Sequence, residues 1–194
     1  MKRICVFTGS REGRGSAYRR VTERLGKILA ERNICVVYGG GHVGLMGILA
    51  DAALAGGGEV IGVIPRGMVD LEVAHEGLTE LRVVETMHER KATMEKLSDG
   101  FIVLPGGVGT LEEMIEVISW IYLGIIQKPI GLINQDGYYD PLLSLFKHSA
   151  EEGFMYDSFE RLFVVGNNPE DVLSRMENFS PPPGPMSGQS VNNL

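Results

Sequence analysis

Short runs of branched and aromatic apolar residues alternate along this chain with longer segments whose apolar positions recur every three to four residues. The runs read as strands: Ile4 to Phe7, Ile34 to Tyr38, Val60 to Ile64, Leu81 to Val84, Phe101 to Leu104, Ile130 to Ile133 and Leu162 to Val165. The longer segments read as helices: Tyr18 to Arg32, Leu45 to Leu54, Met87 to Leu97, Leu111 to Ile126, Tyr139 to Glu152 and Pro169 to Asn178. Pro65 and Pro105 stop the strands that precede them. Residues Arg66 to Gly77 read as irregular or briefly helical. Continuously apolar strands separated by helices indicate a parallel sheet covered on both faces. The expected fold is therefore α/β, a Rossmann-like, doubly wound parallel sheet in three layers.

No internal repeat or long linker divides the chain, so residues 1–179 are expected to form one Rossmann-like domain. The tail 180–194 is rich in Pro, Gly, Ser and Asn, lacks apolar periodicity and is expected to be disordered. A length of 194 residues suits one domain with a sizeable core. The net charge of −7 speaks against a dedicated nucleic-acid binder, while leaving room for a small basic pocket. Cys5 and Cys35 fall within apolar runs and read as buried reduced thiols. The apolar run after Met1-Lys2-Arg3 is too short for a signal peptide or membrane span. A cytoplasmic location is expected.

In doubly wound sheets, ligands bind beyond the carboxyl ends of the strands. Three Gly-containing turns fall at such ends: Gly9-Ser10, Gly39-Gly40-Gly41, and Pro105 to Thr110. In the last, Gly106, Gly107 and Gly109 lack Cβ atoms, so backbone N–H groups can converge on an oxyanion. The helix that follows adds free N–H groups and the positive end of its dipole. A strand-to-helix turn with no ligand accounts for the same glycines equally well. The turn matches neither the dinucleotide fingerprint nor a Walker A loop. Gly40 and Gly41 lie in the second turn of this kind, where close packing of the helix on the sheet accounts equally for Gly44 and Gly47, and His42 reads as an exposed loop residue.

Thr110-Leu111-Glu112-Glu113 has the form of a capping box, with Thr at the N-cap and Glu113 at N3. On these residues alone, a cap explains Glu113 better than catalysis does. Arg90 and Lys91 open a helix against its dipole, which suggests an anion to meet. A solvated charged face shared with Glu89 and Glu95 is the plainer explanation. No Ser-His-Asp or Cys-His constellation stands out, and no spacing resembles a metal site.

Taken together, these motifs resemble the "lonely guy" (LOG) family of cytokinin riboside 5′-monophosphate phosphoribohydrolases. The family signature PGGxGTxxE is met by Pro105 to Glu113, and the Arg-Lys pair by Met87-His88-Glu89-Arg90-Lys91. The second Gly-rich turn, Asp136-Gly137-Tyr138-Tyr139 and Glu151-Glu152-Gly153-Phe154 continue the likeness, which runs from Ile4 to Phe179. One departure is visible: Thr8-Gly9-Ser10-Arg11 stands where the family usually has Cys-Gly-Ser-Ser.

The resemblance implies hydrolysis of nucleoside 5′-monophosphates, such as AMP or isopentenyladenosine monophosphate, to free base and ribose 5-phosphate. It implies Arg90 and Glu113 as the catalytic pair. Gly107, Val108, Gly109 and Thr110 would hold the phosphate, with Leu111, Glu112 and Lys91 close by. Glu72 and Ser119 would line the substrate pocket, with Gly9, Ser10, Gly40 and Gly41 as secondary candidates. No cofactor and no metal is implied, and a homodimer is. The helix from Leu111 to Ile126, apolar nearly all round, is accordingly expected to be buried or to form a subunit interface. Two other readings remain: a molybdenum-cofactor carrier using the same turns without hydrolysis, and a PLP-dependent lysine decarboxylase. The presence of both Arg90 and Glu113 favours the enzyme over the carrier. The short chain, lacking a recognisable Schiff-base lysine context, speaks against the decarboxylase.

Overall fold

A computed structural model describes residues 1–69, 73–155 and 157–184. Seven strands lie in one sheet: β1 (Arg3–Phe7), β2 (Cys35–Tyr38), β3 (Val60–Pro65), β4 (Glu80–Val84), β5 (Gly100–Val103), β6 (Ile130–Ile133) and β7 (Val164–Gly166). Their order is β4-β3-β2-β1-β5-β6-β7, and every pairing is parallel. Six α-helices connect them: α1 (Ala17–Glu31), α2 (Gly44–Ala55), α3 (Met87–Leu97), α4 (Val108–Leu123), α5 (Asp140–Glu151) and α6 (Pro169–Glu177).

Alternation along β1 sends Ile4 and Val6 to one face of the sheet and Cys5 and Phe7 to the other. The first face packs against α1, α2 and α6 through Leu25, Leu29, Leu49 and Leu173. The second packs against α3, α4 and α5 through Met94, Met114, Ile118 and Phe146. Strand order reverses between β1 and β5, which pair from Ile4–Gly100 to Phe7–Val103. The loops leaving these two strands diverge to opposite faces and open a crevice at that point. The three-layer architecture is the one the apolar pattern predicts. Residues 180–184 carry no helix or strand, and the rest of the tail lies outside the described residues.

Most element boundaries fall within a residue or two of the expected ones, but α4 does not. It begins at Val108, three residues before the expected start, with Gly107 at the N-cap. The amide of Leu111 donates to the carbonyl of Gly107 at 3.0 Å, closing the first helical turn. Thr110 therefore sits at N3 and Glu113 at N6. The capping box is corrected: Glu113 lies in the second turn and cannot fold back on the N-cap, and no acidic residue occupies the first turn. Nor is α4 wholly buried. Met114, Val117, Ile118 and Ile121 face the sheet, while Ile115 and Leu123 are each 37% exposed. Among the described residues, no helix is long and apolar enough to cross a membrane.

Candidate active site

The crevice at the switch point contains a cavity of about 150 Å³ lined by Thr8, Ser10, Met46, Arg90, Gly107 to Thr110 and Glu113. Four parts of the chain build it: the end of β1, the start of α2, the first turns of α3, and the loop that opens α4.

The loop is held from below and from the side. Pro105 accepts from the amide of Gly9 at 3.3 Å. The hydroxyl of Tyr139 donates to Leu104 at 2.8 Å, and the hydroxyl of Tyr138 donates to Gly106. Burial pushes the Tyr139 phenol well above its ordinary pKa, so it remains a hydrogen-bond donor. The Asp136-Gly137-Tyr138-Tyr139 stretch thus buttresses the loop.

The glycines of the loop divide into two kinds. A Cβ on Gly106 would overlap Thr110 and crowd the Gly9 amide, so packing alone requires glycine there. A Cβ on Gly107 or on Gly109 would meet nothing within 4 Å. Gly109 is inside a helix, where glycine is disfavoured. A ligand-free tight turn explains Gly106 but gives no reason for Gly107 and Gly109. Space kept clear beside the uncapped N-terminus of α4 suits an approaching anion. Thr8 supplies an independent sign. It is 7% exposed, lines the cavity, and its hydroxyl has no hydrogen-bond partner among the described residues. Thr110, also buried, presents a second hydroxyl.

Arg90 is 4% exposed, so the solvated-face explanation does not hold for it. Thr86 caps α3 by accepting from the Glu89 amide at 3.1 Å, and Glu89 accepts from the Glu85 amide at 2.8 Å. That fixes the helix start and turns Arg90 inward. Its Nη2 donates to the carbonyl of Gly39 at 3.0 Å, and its Nη1 lies 3.7 Å from the sulfur of Met87. A Cβ on Gly39 would overlap the guanidinium, so the second Gly-rich turn admits Arg90 by having no side chain at this position.

The remaining candidates are placed as follows. Lys91 turns away from the cavity to ion-pair with Glu112, and with Glu116 at 2.9 Å. Burial alone would lower its pKa, but the hydrogen bonds to Glu112 and Glu116 outweigh that and hold it above its ordinary value. Glu112 is exposed and occupied by this pairing. Leu111 packs into the core beneath α4. Ser119 is exposed on α4, outside the cavity lining. Gly9 and Ser10 sit beside the loop, and Gly40 and Gly41 form the turn behind Arg90. Glu72 lies outside the described residues. Thr8 and Met46 line the cavity without having been singled out by sequence. For Thr8 the departure at Thr8-Gly9-Ser10-Arg11 was the available signal.

A larger recess of about 470 Å³ lies on the far side of the loop, walled by Tyr18, Leu45 and Tyr138 and sharing Ser10, Gly107 and Val108. Neither Arg90 nor Glu113 lines it, so the small cavity is the candidate reaction chamber.

Comparison with known proteins places the chain in a family. A family model described as "possible lysine decarboxylase" matches residues 46–176. The chain is 47% identical over 180 residues to the cytokinin riboside 5′-monophosphate phosphoribohydrolase LOG of Oryza sativa subsp. japonica, covering 93% of this chain and 74% of that protein. It belongs to the LOG family. Identity is also 47% over 180 residues to LOG3 of Arabidopsis thaliana, covering 93% of this chain and 84% of the relative. Among solved structures, the molybdenum cofactor carrier protein of Chlamydomonas reinhardtii superposes with a TM-score of 0.68 at 19% identity, covering 90% and 95% of the two chains. A molybdenum cofactor binding protein of Rippkaea orientalis gives 0.68 at 21%, covering 91% and 96%. At such identities the LOG-family chain shares a fold with these carriers, and nothing more is implied.

Proposed function

We propose that this LOG-family protein hydrolyses the N-glycosidic bond of nucleoside 5′-monophosphates, releasing free base and ribose 5-phosphate. The observation that carries the reading is the single small cavity into which an anion-binding helix terminus, Arg90 and Glu113 all open. Its volume of about 150 Å³ lies below the ~300 Å³ typical of sites that engulf a whole ligand, and suits a sugar phosphate whose base projects outward.

The amides opening α4 and the hydroxyls of Thr8 and Thr110 hold the 5′-phosphate. The phosphate supplies binding energy remote from the reacting bond and fixes the ribose over Glu113. As the bond from C1′ to the base nitrogen breaks, positive charge develops on the ribose, and the Glu113 carboxylate stabilises it. A water oxygen held by Glu113 bonds to C1′, its proton passes to the carboxylate, the electron pair of the broken bond leaves with the base, and the base nitrogen then takes up a proton as Glu113 gives its own up. Arg90, anchored on Gly39, presents a fixed positive charge to the cavity. Both groups in one chamber favour hydrolysis over simple carriage. Lys91, ion-paired and held above its ordinary pKa, is the reverse of the depressed-pKa amine that Schiff-base chemistry needs.

The enzyme acts as a cytoplasmic homodimer in this reading. Cys5 and Cys35 are buried and free, and the outward face of α4 carries exposed Ile115 and Leu123 for a second copy. Light scattering that finds only monomer at micromolar concentration would refute the dimer. Incubation with AMP, isopentenyladenosine monophosphate and adenosine tests the reaction. Chromatography should show base released from the two monophosphates and little from the nucleoside. No base from either monophosphate rules the activity out.

A further inference from the structure

Outside the cavity, three side chains from three segments converge. His75 lies between β3 and β4, Asp51 lies on α2, and His42 lies in the second Gly-rich turn. Nε2 of His75 is 3.0 Å from Oδ1 of Asp51, and Nε2 of His42 is 3.6 Å from Oδ2. The two imidazole rings lie 4.5 Å apart. Their potential ligand atoms all fall within 4.8 Å of one another, close enough for a cation. The tautomer argues otherwise. Gly77 donates its amide to Nδ1 of His75 at 3.0 Å, which assigns the ring hydrogen to Nε2 and directs it at Asp51. A metal at Nε2 would need that hydrogen moved to Nδ1, against the Gly77 amide.

The backbone shows what the triad holds. His42 donates its amide to Val73 at 2.8 Å, His75 donates to Gly40 at 2.9 Å, and Gly41 bridges Ala74 in antiparallel fashion. Val73 to His75 is thus tied to Gly40 to His42 by a single antiparallel bridge. The residue just before this bridged segment is Gly39, whose carbonyl receives Arg90. His75 is buried, and Asp51 lies on α2, which packs against α1. The triad therefore pins the turn on which Arg90 rests.

We propose that His75, held by Asp51, is a positioning residue that fixes the Gly39 carbonyl and through it the Arg90 guanidinium. The inference rests on the placement of Arg90 in the reaction chamber. Neither His75 nor Asp51 lines the cavity, so their effect is carried by the bridged segment Gly40–His42.

The experiment compares Asp51→Ala and Asp51→Asn with the wild type, and adds Asp51→Ala to an Arg90→Ala background. Asp51 is exposed on α2, where alanine is a good helix former. In Asp51→Ala, kcat with AMP should fall about tenfold or more, with KM less affected, because small displacements of a catalytic group are costly. Asp51→Asn should recover most of that loss, since its amide oxygen still accepts from His75. In the Arg90→Ala background, Asp51→Ala should cost nothing further. Hydrogen exchange at the His42 and His75 amides should speed up in Asp51→Ala, a readout independent of catalysis. Unchanged exchange and unchanged kcat overturn the proposal, as does a full additional loss in the Arg90→Ala background. If Arg90→Ala itself is fully active while exchange still responds to Asp51→Ala, the role given to Arg90 is what fails, and the catalytic consequence falls with it. Activity lost to EDTA and restored by zinc would overturn the proposal in favour of a metal site.

Discussion

Arg90 and Gly39 meet across the face of the sheet, guanidinium to carbonyl at 3.0 Å, in a space that any side chain on residue 39 would fill. Gly39→Ala should therefore displace Arg90 while leaving most of the sheet intact. The added methyl is expected to cost about 1–3 kcal/mol of stability, as overpacking does. Steady-state assays on the folded fraction should show kcat reduced at least as much as by Arg90→Lys. A variant with normal turnover would mean that Arg90 does not need this seat.

Gly109 permits a cleaner separation of stability from binding. A methyl there meets no protein atom, and the helix gains propensity, so Gly109→Ala should stabilise the fold by about 0.5–1 kcal/mol. The same methyl occupies space kept for phosphate, so KM for AMP should rise. A melt shifted upward with an unaltered KM would remove the phosphate from this loop.

Tyr139 tests the buttress beneath the loop. Tyr139→Phe deletes the 2.8 Å hydrogen bond and leaves the Leu104 carbonyl unsatisfied in the core, at a cost of about 1–3 kcal/mol. Urea denaturation measures this directly. No change in midpoint would show that the loop does not depend on this contact.

Lys91 gives a pH dependence of stability with a defined sign. Its folded pKa is raised by Glu112 and Glu116 despite the opposing effect of burial. The stabilisation is then fully present below the unfolded value of about 10.4 and is lost as pH rises through the higher folded value. Wild type should lose more stability than Lys91→Met between pH 9 and pH 11.5 in parallel denaturant titrations. Equal losses would contradict the coupling.

The layer architecture was legible because continuous apolar strands and amphipathic helices encode it directly, whereas the strand order, and with it the switch point between β1 and β5, depends on long-range pairing that no local pattern carries. The start of α4 was not. Val108, Gly109 and Thr110 have modest or poor helix propensity, and the PGGxGT glycines resemble loop, so Thr110 looked like the cap. The structure moves that cap to Gly107, and the Glu113 carboxylate lines the cavity instead of capping the helix. Arg90 was ambiguous for another reason: its charge suggests a surface, and only the glycine at residue 39, far away in sequence, makes room to bury it. Thr8, Met46 and the His42–Asp51–His75 cluster are assembled by crossover topology, which local pattern does not carry.

The most direct test of the account is base release from AMP by Glu113→Gln, with thermal melts on the same samples. The amide keeps the size of the side chain but removes the charge that stabilises the ribose and the base that accepts the water proton. Turnover should fall about a thousandfold with an unchanged melt and phosphate still bound. Turnover that persists, or that falls only in proportion to the folded fraction, would contradict the central role of Glu113.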